Sequence, residues 1–253
     1  MSFDGQKNIP VKLLIDSGGS DALWLFEDEK KDIHTPEKYF DDFLGKGLSG
    51  SVYGKRSRVA SYSIGNFKLK NVKAAFPDST SVSHARQIKD RCGSVSGEIL
   101  KRFNLVLDYP NGKITLKKNK NFHLPFYYNG SGITLEHNGV RVVKELDKSA
   151  KADPYSTGNE QNSSNPTIIL SATYKYSLAP SFTIVELRKD SPAHRAGLML
   201  GDIVLNVNHK HAHEYSLQDL IQIFYGKEGK RIRLMVDRNG NQMVFYFKLE
   251  NLL

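Results

Sequence analysis

The sequence predicts a mainly β chain with two domains. Three observations carry this. Short apolar runs recur along residues 9–125, each ended by Gly, Asn, Pro or Asp. Asn-Gly pairs at 111–112 and 239–240 join neighbouring runs in the manner of tight hairpins. A length of 253 residues suits two ordinary domains, each burying its own core.

In chain order, VKLLI at 11–15 reads as the first strand. GKGLSGSVYGKRSRV at 45–59 reads as strand, glycine-rich tip, strand. RVASYSI and FKLKNVKAAF pair through Ile64-Gly65-Asn66-Phe67. Ser96 to Phe103 predicts a short helix, with Ile99, Leu100 and Phe103 on one face and Glu98 in the first turn. FNLVLDY and KITLKK flank Tyr109-Pro110-Asn111-Gly112, whose Asn-Gly supplies positive φ values. Residues 148–166, KSAKADPYSTGNEQNSSNP, are nearly devoid of apolar side chains and predict an exposed, mobile insertion spanning about 146–166. Beyond it, TIILSATYKY, FTIVELR, DIVLNVN, RIRLMVDRNG and QMVFYFKLE predict strands, and SLQDLIQIFYG a helix.

Composition bounds the function. At 39% apolar with 13 Phe and 12 Tyr, the chain has a globular composition. No run approaches the eighteen or so apolar residues of a membrane span. The net charge of +9 invites nucleic acid or anionic membrane as partners, but the densest basic stretch, Lys113 to Lys120, ends a strand and reads as a solvated face. The first twenty residues show no basic segment followed by an apolar stretch and cleavage site, so the chain is either cytoplasmic or without its leader. A lone Cys92 excludes an intramolecular disulfide and reads as a buried thiol.

The strand Val11 to Ile15 runs directly into Asp16-Ser17-Gly18-Gly19-Ser20, followed by Leu23, Trp24 and Leu25. That order resembles the active-site loop of retropepsin-like (pepsin-like) aspartic proteases. Such chemistry needs two adjacent carboxyl groups sharing one proton, one to deprotonate water and one to protonate the scissile carbonyl. The resemblance implies a catalytic role for Asp16, a bracing hydroxyl at Ser17 and an amide donor at Gly18. It also implies a substrate-covering flap at 45–59, with Ser49, Gly50, Ser51 and Tyr53 against substrate. GSVSGEILKRFNLVLDYPNGKITL at 93–116 is similar to the end of such a domain, with Asp108 structural. Two departures stand out: Gly19 where the family has Ala, and little sequence before Asp16. Asp78-Ser79-Thr80 and Asp190-Ser191-Pro192 lack the glycine, so this reading requires Asp16 of a second chain in a homodimer.

Phe182 to Asn208, FTIVELRKDSPAHRAGLMLGDIVLNVN, resembles PDZ domains of bacterial proteases. PDZ domains add a peptide strand to a sheet edge and hold its terminal carboxylate in a loop of backbone N–H groups. Here the resemblance implies a loop at Asn129, Gly130, Ser131 and Gly132, a strand beginning at Ile133, and a helix at 216–225. Of Leu217, Leu220, Ile221 and Phe224, the sequence does not say which face the peptide; Leu217 and Ile221 are the candidates. His209, His211 and His213 alternate, but they follow a strand where a connection is expected, and no metal site is assigned. No phosphate loop, dinucleotide fingerprint or serine-nucleophile elbow occurs.

The expectation is a retropepsin-like acid protease β-barrel at 1–123 and a PDZ domain, a small β-barrel or sandwich with one or two helices, at 124–253. Its activity would be aspartic-type endopeptidase, needing no cofactor, acting on peptide or protein substrate and binding a PDZ ligand peptide. Resemblance to envelope proteases suggests a periplasmic or cell-envelope location. The alternative is a protease-fold scaffold without catalysis, whose working function is PDZ-mediated protein binding.

Overall fold

The computed structural model describes residues 1–47, 50–86, 88, 90–146 and 174–253. Two hydrophobic cores organise them. The first gathers Leu23, Leu25, Ile33, Val59, Val72 and Ile99, and extends to Phe126. The second begins at Ile133 and includes Ile184, Val207, Leu220, Ile232 and Val236. The expected insertion at 146–166 lies, apart from residue 146, outside the described residues.

Around the first core runs a mixed six-stranded sheet: β1 (Lys12–Asp16), β2 (Leu23–Leu25), β3 (Phe40–Gly47), β4 (Gly50–Ile64), β5 (Phe67–Pro77) and β6 (Arg91–Ser96). Its order is β1-β6-β2-β5-β4-β3. β1 lies parallel to β6, and β6 antiparallel to β2, so the loop after Asp16 is brought against Ser96 and Gly97. β3, β4 and β5 form an antiparallel meander in which β3 and β4 pair as far as Gly47 and Gly50; residues 48 and 49 of the expected glycine-rich tip lie outside the described residues. α1 (Ser83–Arg86) precedes β6, and α2 (Gly97–Leu100) follows it with Ile99 and Leu100 buried, as the sequence pattern predicts.

β7 (Phe103–Asp108) and β8 (Lys113–Lys118) form a separate hairpin. Its turn differs from the expectation of two positive φ values: only Gly112, at +60°, is left-handed. Asn111 instead anchors the turn by its backbone N–H and Nδ2, which donate to Asp108 at 3.2 and 2.8 Å.

The second core carries an antiparallel sheet of β9 (Ile133–Leu146), β10 (Tyr174–Leu187), β11 (Ile203–Val207), β13 (Arg231–Arg238) and β14 (Asn241–Lys248), ordered β14-β13-β11-β10-β9. The two-residue β12 (Lys210–His211) pairs with β11. The β13–β14 turn has both Asn239 and Gly240 at positive φ, as expected of a tight Asn-Gly hairpin. α3 (Pro192–Arg195) starts with Ser191 Oγ accepting from His194 N–H and Pro192 at its first position, and Gly197 at φ +95° ends the turn that follows it. α4 (Leu217–Phe224) starts with a reciprocal Ser216–Asp219 cap and buries Leu220 and Phe224, one turn apart. Since β9 ends the sheet order, its outer edge is unpaired among the described residues, and α4 packs alongside it.

Candidate functional site

A cavity of about 710 Å³ lies between the two domains. One wall is Ser17 to Ser20 with Asp42 to Gly45, and the other is Gly132 to Leu135 with Gln218, Ile221, Gln222 and Tyr225. The loop after Asp16 and the PDZ-like groove therefore open onto one space, which the sequence did not foretell.

The domains are joined by a chain of charges. Arg56, only 8% exposed, donates from Nη1 to Asp21 at 2.5 Å and from Nε to Asp42 at 2.7 Å. Burial opposes the Arg56 charge, but the two carboxylates overcome it and hold the guanidinium above its ordinary range. Burial likewise opposes the charge on Asp21, yet Arg56 and then Lys73 keep its carboxyl below the usual range. Asp42 also receives Arg188 Nη1 at 3.4 Å from the second domain. Arg188 donates in addition to the Asn129 carbonyl at 3.1 Å. Tyr53 Oη donates to Glu186 at 3.0 Å, and Tyr128 Oη donates to the Ser57 carbonyl.

Asp16 Oδ1 accepts the N–H groups of Gly18 and Gly19, each at 3.0 Å. The Gly18 amide thus donates to the carboxylate as expected, and Ser17 is exposed beside it. A Cβ on residue 19 would stand 2.8 Å from Ser96 Oγ and 2.9 Å from Ser96 Cβ, which accounts for the glycine at this position. Of the expected flap residues, Ser49 lies outside the described residues. Gly50 and Ser51 are at the hairpin tip and do not line the cavity, and Tyr53 is engaged with Glu186.

The loop before β9 is arranged differently from the expectation. Asn129 Oδ1 accepts the N–H groups of Ser131 and Gly132, both at 3.1 Å, and Ser131 Oγ accepts that of Ile133 at 3.0 Å. Gly132, at φ +82°, would place a Cβ 2.3 Å from Ser191, so the tight loop admits only glycine there. Ile221 lines the cavity, whereas Leu217 packs partly buried against the second core. The His211 and His213 rings stack at 5.2 Å, and His213 Nε2 lies 3.1 Å from Glu145, a carboxylate 68 positions away that local spacing did not reveal. Among the described residues no cluster of three His, Cys, Asp or Glu side chains is placed to hold a metal.

The PDZ domain family matches residues 183–238. The chain carries a PDZ domain. Its edge strand β9 and the loop before it precede the matched segment in sequence and join it through β10. No curated protein matches the chain. Among solved structures, a serine endoprotease from Yersinia pestis is similar at 30% identity over 28% of this chain and 25% of its own, with a TM-score of 0.25. The HtrA-type protease AlgW with a decapeptide is similar at 12% identity over 79% of this chain and 49% of its own, with a TM-score of 0.26. A variant of AlgW, also with a decapeptide, is similar at 14% identity, over 94% of this chain and 63% of its own, with a TM-score of 0.31. The chain thus spans less than two thirds of each of these structures, and at these TM-scores the likeness brings no catalytic site to it.

The expectation of an aspartic-type endopeptidase in a retropepsin-like domain is corrected. The proteases that show likeness are a serine endoprotease and HtrA-type enzymes, not aspartic ones. Among the described residues Asp16 is held by two backbone amides and makes no ion pair or hydrogen bond with a second carboxyl group. The two carboxylates that line the cavity among the described residues are bound by cations: Asp42 by Arg56 and Arg188, and Glu98 by Lys101 at 2.6 Å and Arg102 at 3.2 Å.

Proposed function

We propose that this chain is a peptide-binding module, in which an extended segment of a partner protein adds a strand to the outer edge of β9 and lies against α4. The observation that carries this reading is the β9 edge, unpaired among the described residues and facing α4 across a cavity large enough for a peptide. Edge addition supplies affinity through main-chain hydrogen bonds, and specificity through pockets for alternate side chains. Ile133, Leu135 and Ile221 give the groove its apolar lining. Gly130, Ser131 and Gly132 shape its end, and Leu217 supports α4 from the core side. The first domain forms the far wall, so a bound peptide also faces the loop after Asp16.

The test is a randomised decapeptide array probed with wild type and Ile221→Glu, with affinities of the hits measured by fluorescence anisotropy. Wild type is expected to select extended peptides with apolar residues at alternate positions. Ile221→Glu, which places a charge in the apolar lining, is expected to weaken those hits about tenfold or more. Undiminished binding by the variant would place the peptide elsewhere and refute the reading.

A further inference from the structure

Building on the peptide-groove reading, we infer that Lys73, contributed by the first domain, is the receptor for a carboxylate of the bound peptide, in place of the PDZ loop's own backbone amides. The carboxylate is either the peptide's C-terminus or an Asp or Glu side chain.

The first ground is that the loop has no donors to offer. A terminal carboxylate would have to receive the N–H groups of Ser131, Gly132 and Ile133. All three are already bonded, two to Asn129 Oδ1 and one to Ser131 Oγ. Asn129 is itself fixed, since its Nδ2 donates to the Ile133 carbonyl at 2.6 Å and Ser131 Oγ donates to its Oδ1 at 2.7 Å. Docking a carboxylate there would break a set of hydrogen bonds that the loop makes with itself, with little net gain.

The second ground is independent. Lys73 is 4% exposed and lines the cavity, yet among the described residues its ammonium makes no hydrogen bond and no ion pair within 4 Å. A nearly buried cation is expected to be paired. Its neighbours are instead two rings: Nζ lies 5.6 Å from the centroid of Tyr128 and 5.2 Å from that of Tyr225. Tyr128 immediately precedes the loop at 129–133, and Tyr225 immediately follows α4. The unpaired cation is thus at the end of the groove where the loop and helix meet. The nearest anions are committed elsewhere, Asp21 to Arg56 and Glu98 to Lys101 and Arg102.

Titration is consistent with this placement. Burial pushes the Lys73 ammonium down to about 8; Asp21 and Glu98 counter that, while Arg56 and Lys101 add to it. Lys73 is therefore charged at pH 7, and an arriving carboxylate finds a desolvated partner, where a charge-assisted hydrogen bond is strong. Burial raises the hydroxyls of Tyr128 and Tyr225, the latter to about 12, so both rings stay neutral throughout this range.

The experiment uses the full chain and one set of randomised decapeptides made twice, with a free C-terminal carboxylate and with a carboxamide, bound to wild type, Lys73→Met and Lys73→Arg. Wild type is expected to prefer carboxylate-bearing peptides. Lys73→Met is expected to lose that preference with at least about a tenfold drop in affinity, and Lys73→Arg to keep most of it. If amidation abolishes the preference, the ligand group is the chain terminus; if amidated peptides still bind in proportion to an Asp or Glu, it is a side chain. Lys73→Met binding these peptides as wild type does, or wild type binding carboxamide and uncharged peptides equally well, overturns the inference and leaves strand addition standing. Failure of wild type to bind either set overturns both.

Discussion

Replacing Lys73 by Met should make the protein more stable at neutral pH, and the gain should disappear in alkali. Lys73 is 4% exposed, its ammonium has no carboxylate at ion-pair distance among the described residues, and burial lowers its pKa from the ordinary 10.5 to about 8. That difference corresponds to about 3 kcal/mol of destabilisation whenever the group is charged in both folded and unfolded chains. The sign follows from the lowered value. Below pH 8 both states are protonated, and the full cost is present. Between pH 8 and 10.5 the folded protein releases its proton first and the cost declines, and above 10.5 neither state carries the charge. Methionine has similar length and no charge, so Lys73→Met should raise the unfolding free energy by up to about 3 kcal/mol at pH 7 and by little at pH 10.5. Urea denaturation of both proteins at the two pH values measures this. Taking the difference between variant and wild type cancels every titration they share. A loss of stability in the variant at pH 7, or a gain of equal size at both pH values, would refute the reasoning, because either means the folded protein does not strain against this charge.

Two further substitutions probe how the cavity is held. Asp42→Ala removes the carboxylate shared by Arg56 and Arg188 and leaves a nearly buried guanidinium with one partner fewer; a loss of about 3 kcal/mol is expected, with thermal unfolding by calorimetry separating into two transitions as the domains uncouple. Gly19→Ala drives a Cβ against Ser96, whose 2% exposure leaves it no room to turn away, at a cost of about 1–3 kcal/mol. Because the clash includes Ser96 Cβ, Ser96→Gly in the same chain should recover most of that loss, and a double-mutant cycle by urea denaturation showing simple additivity would be the contrary result.

What the sequence revealed was what local chemistry determines. Ser191-Pro192 and Gly197 announced α3 because a capping hydroxyl, a fixed φ and a left-handed glycine act over one turn. Ile99 and Leu100 announced the buried face of a helix only four residues long, whereas Phe103, expected on the same helical face, is buried as the first residue of β7. Asp16, Ser17 and Gly18 were found as a loop, and the Gly18 amide does donate to the carboxylate, but a local motif cannot report whether a second carboxylate stands opposite. The glycines at 130 and 132 made a turn before Ile133 legible, while Asn129 folding back over the amides of Ser131 and Gly132 depends on a side-chain rotamer that the sequence does not state. Tyr53 was expected to meet a substrate, but Glu186, 133 positions away, takes its hydroxyl.

Lys73 shows why a groove of this kind escapes a domain-by-domain reading. In FKLKNVKAAF it is one lysine among three; Lys68 and Lys70 are exposed, and strict alternation puts Lys73 on the opposite face with Leu69, but the sequence does not say what that face meets. It becomes distinctive only because Arg56 on the adjacent β4 takes Asp21 for itself, leaving Lys73 with attraction to that carboxylate but no contact with it. The same Arg56 holds Asp42, and Asp42 holds Arg188, so the network that docks the second domain is also what leaves Lys73 without an ion-pair partner among the described residues at the end of its groove. A PDZ domain cut out at residues 124–253 would keep β9, α4 and the Asn129-capped loop but lose Lys73. On this argument the isolated domain should bind peptides without regard to their carboxylates, and the intact chain should bind them with it.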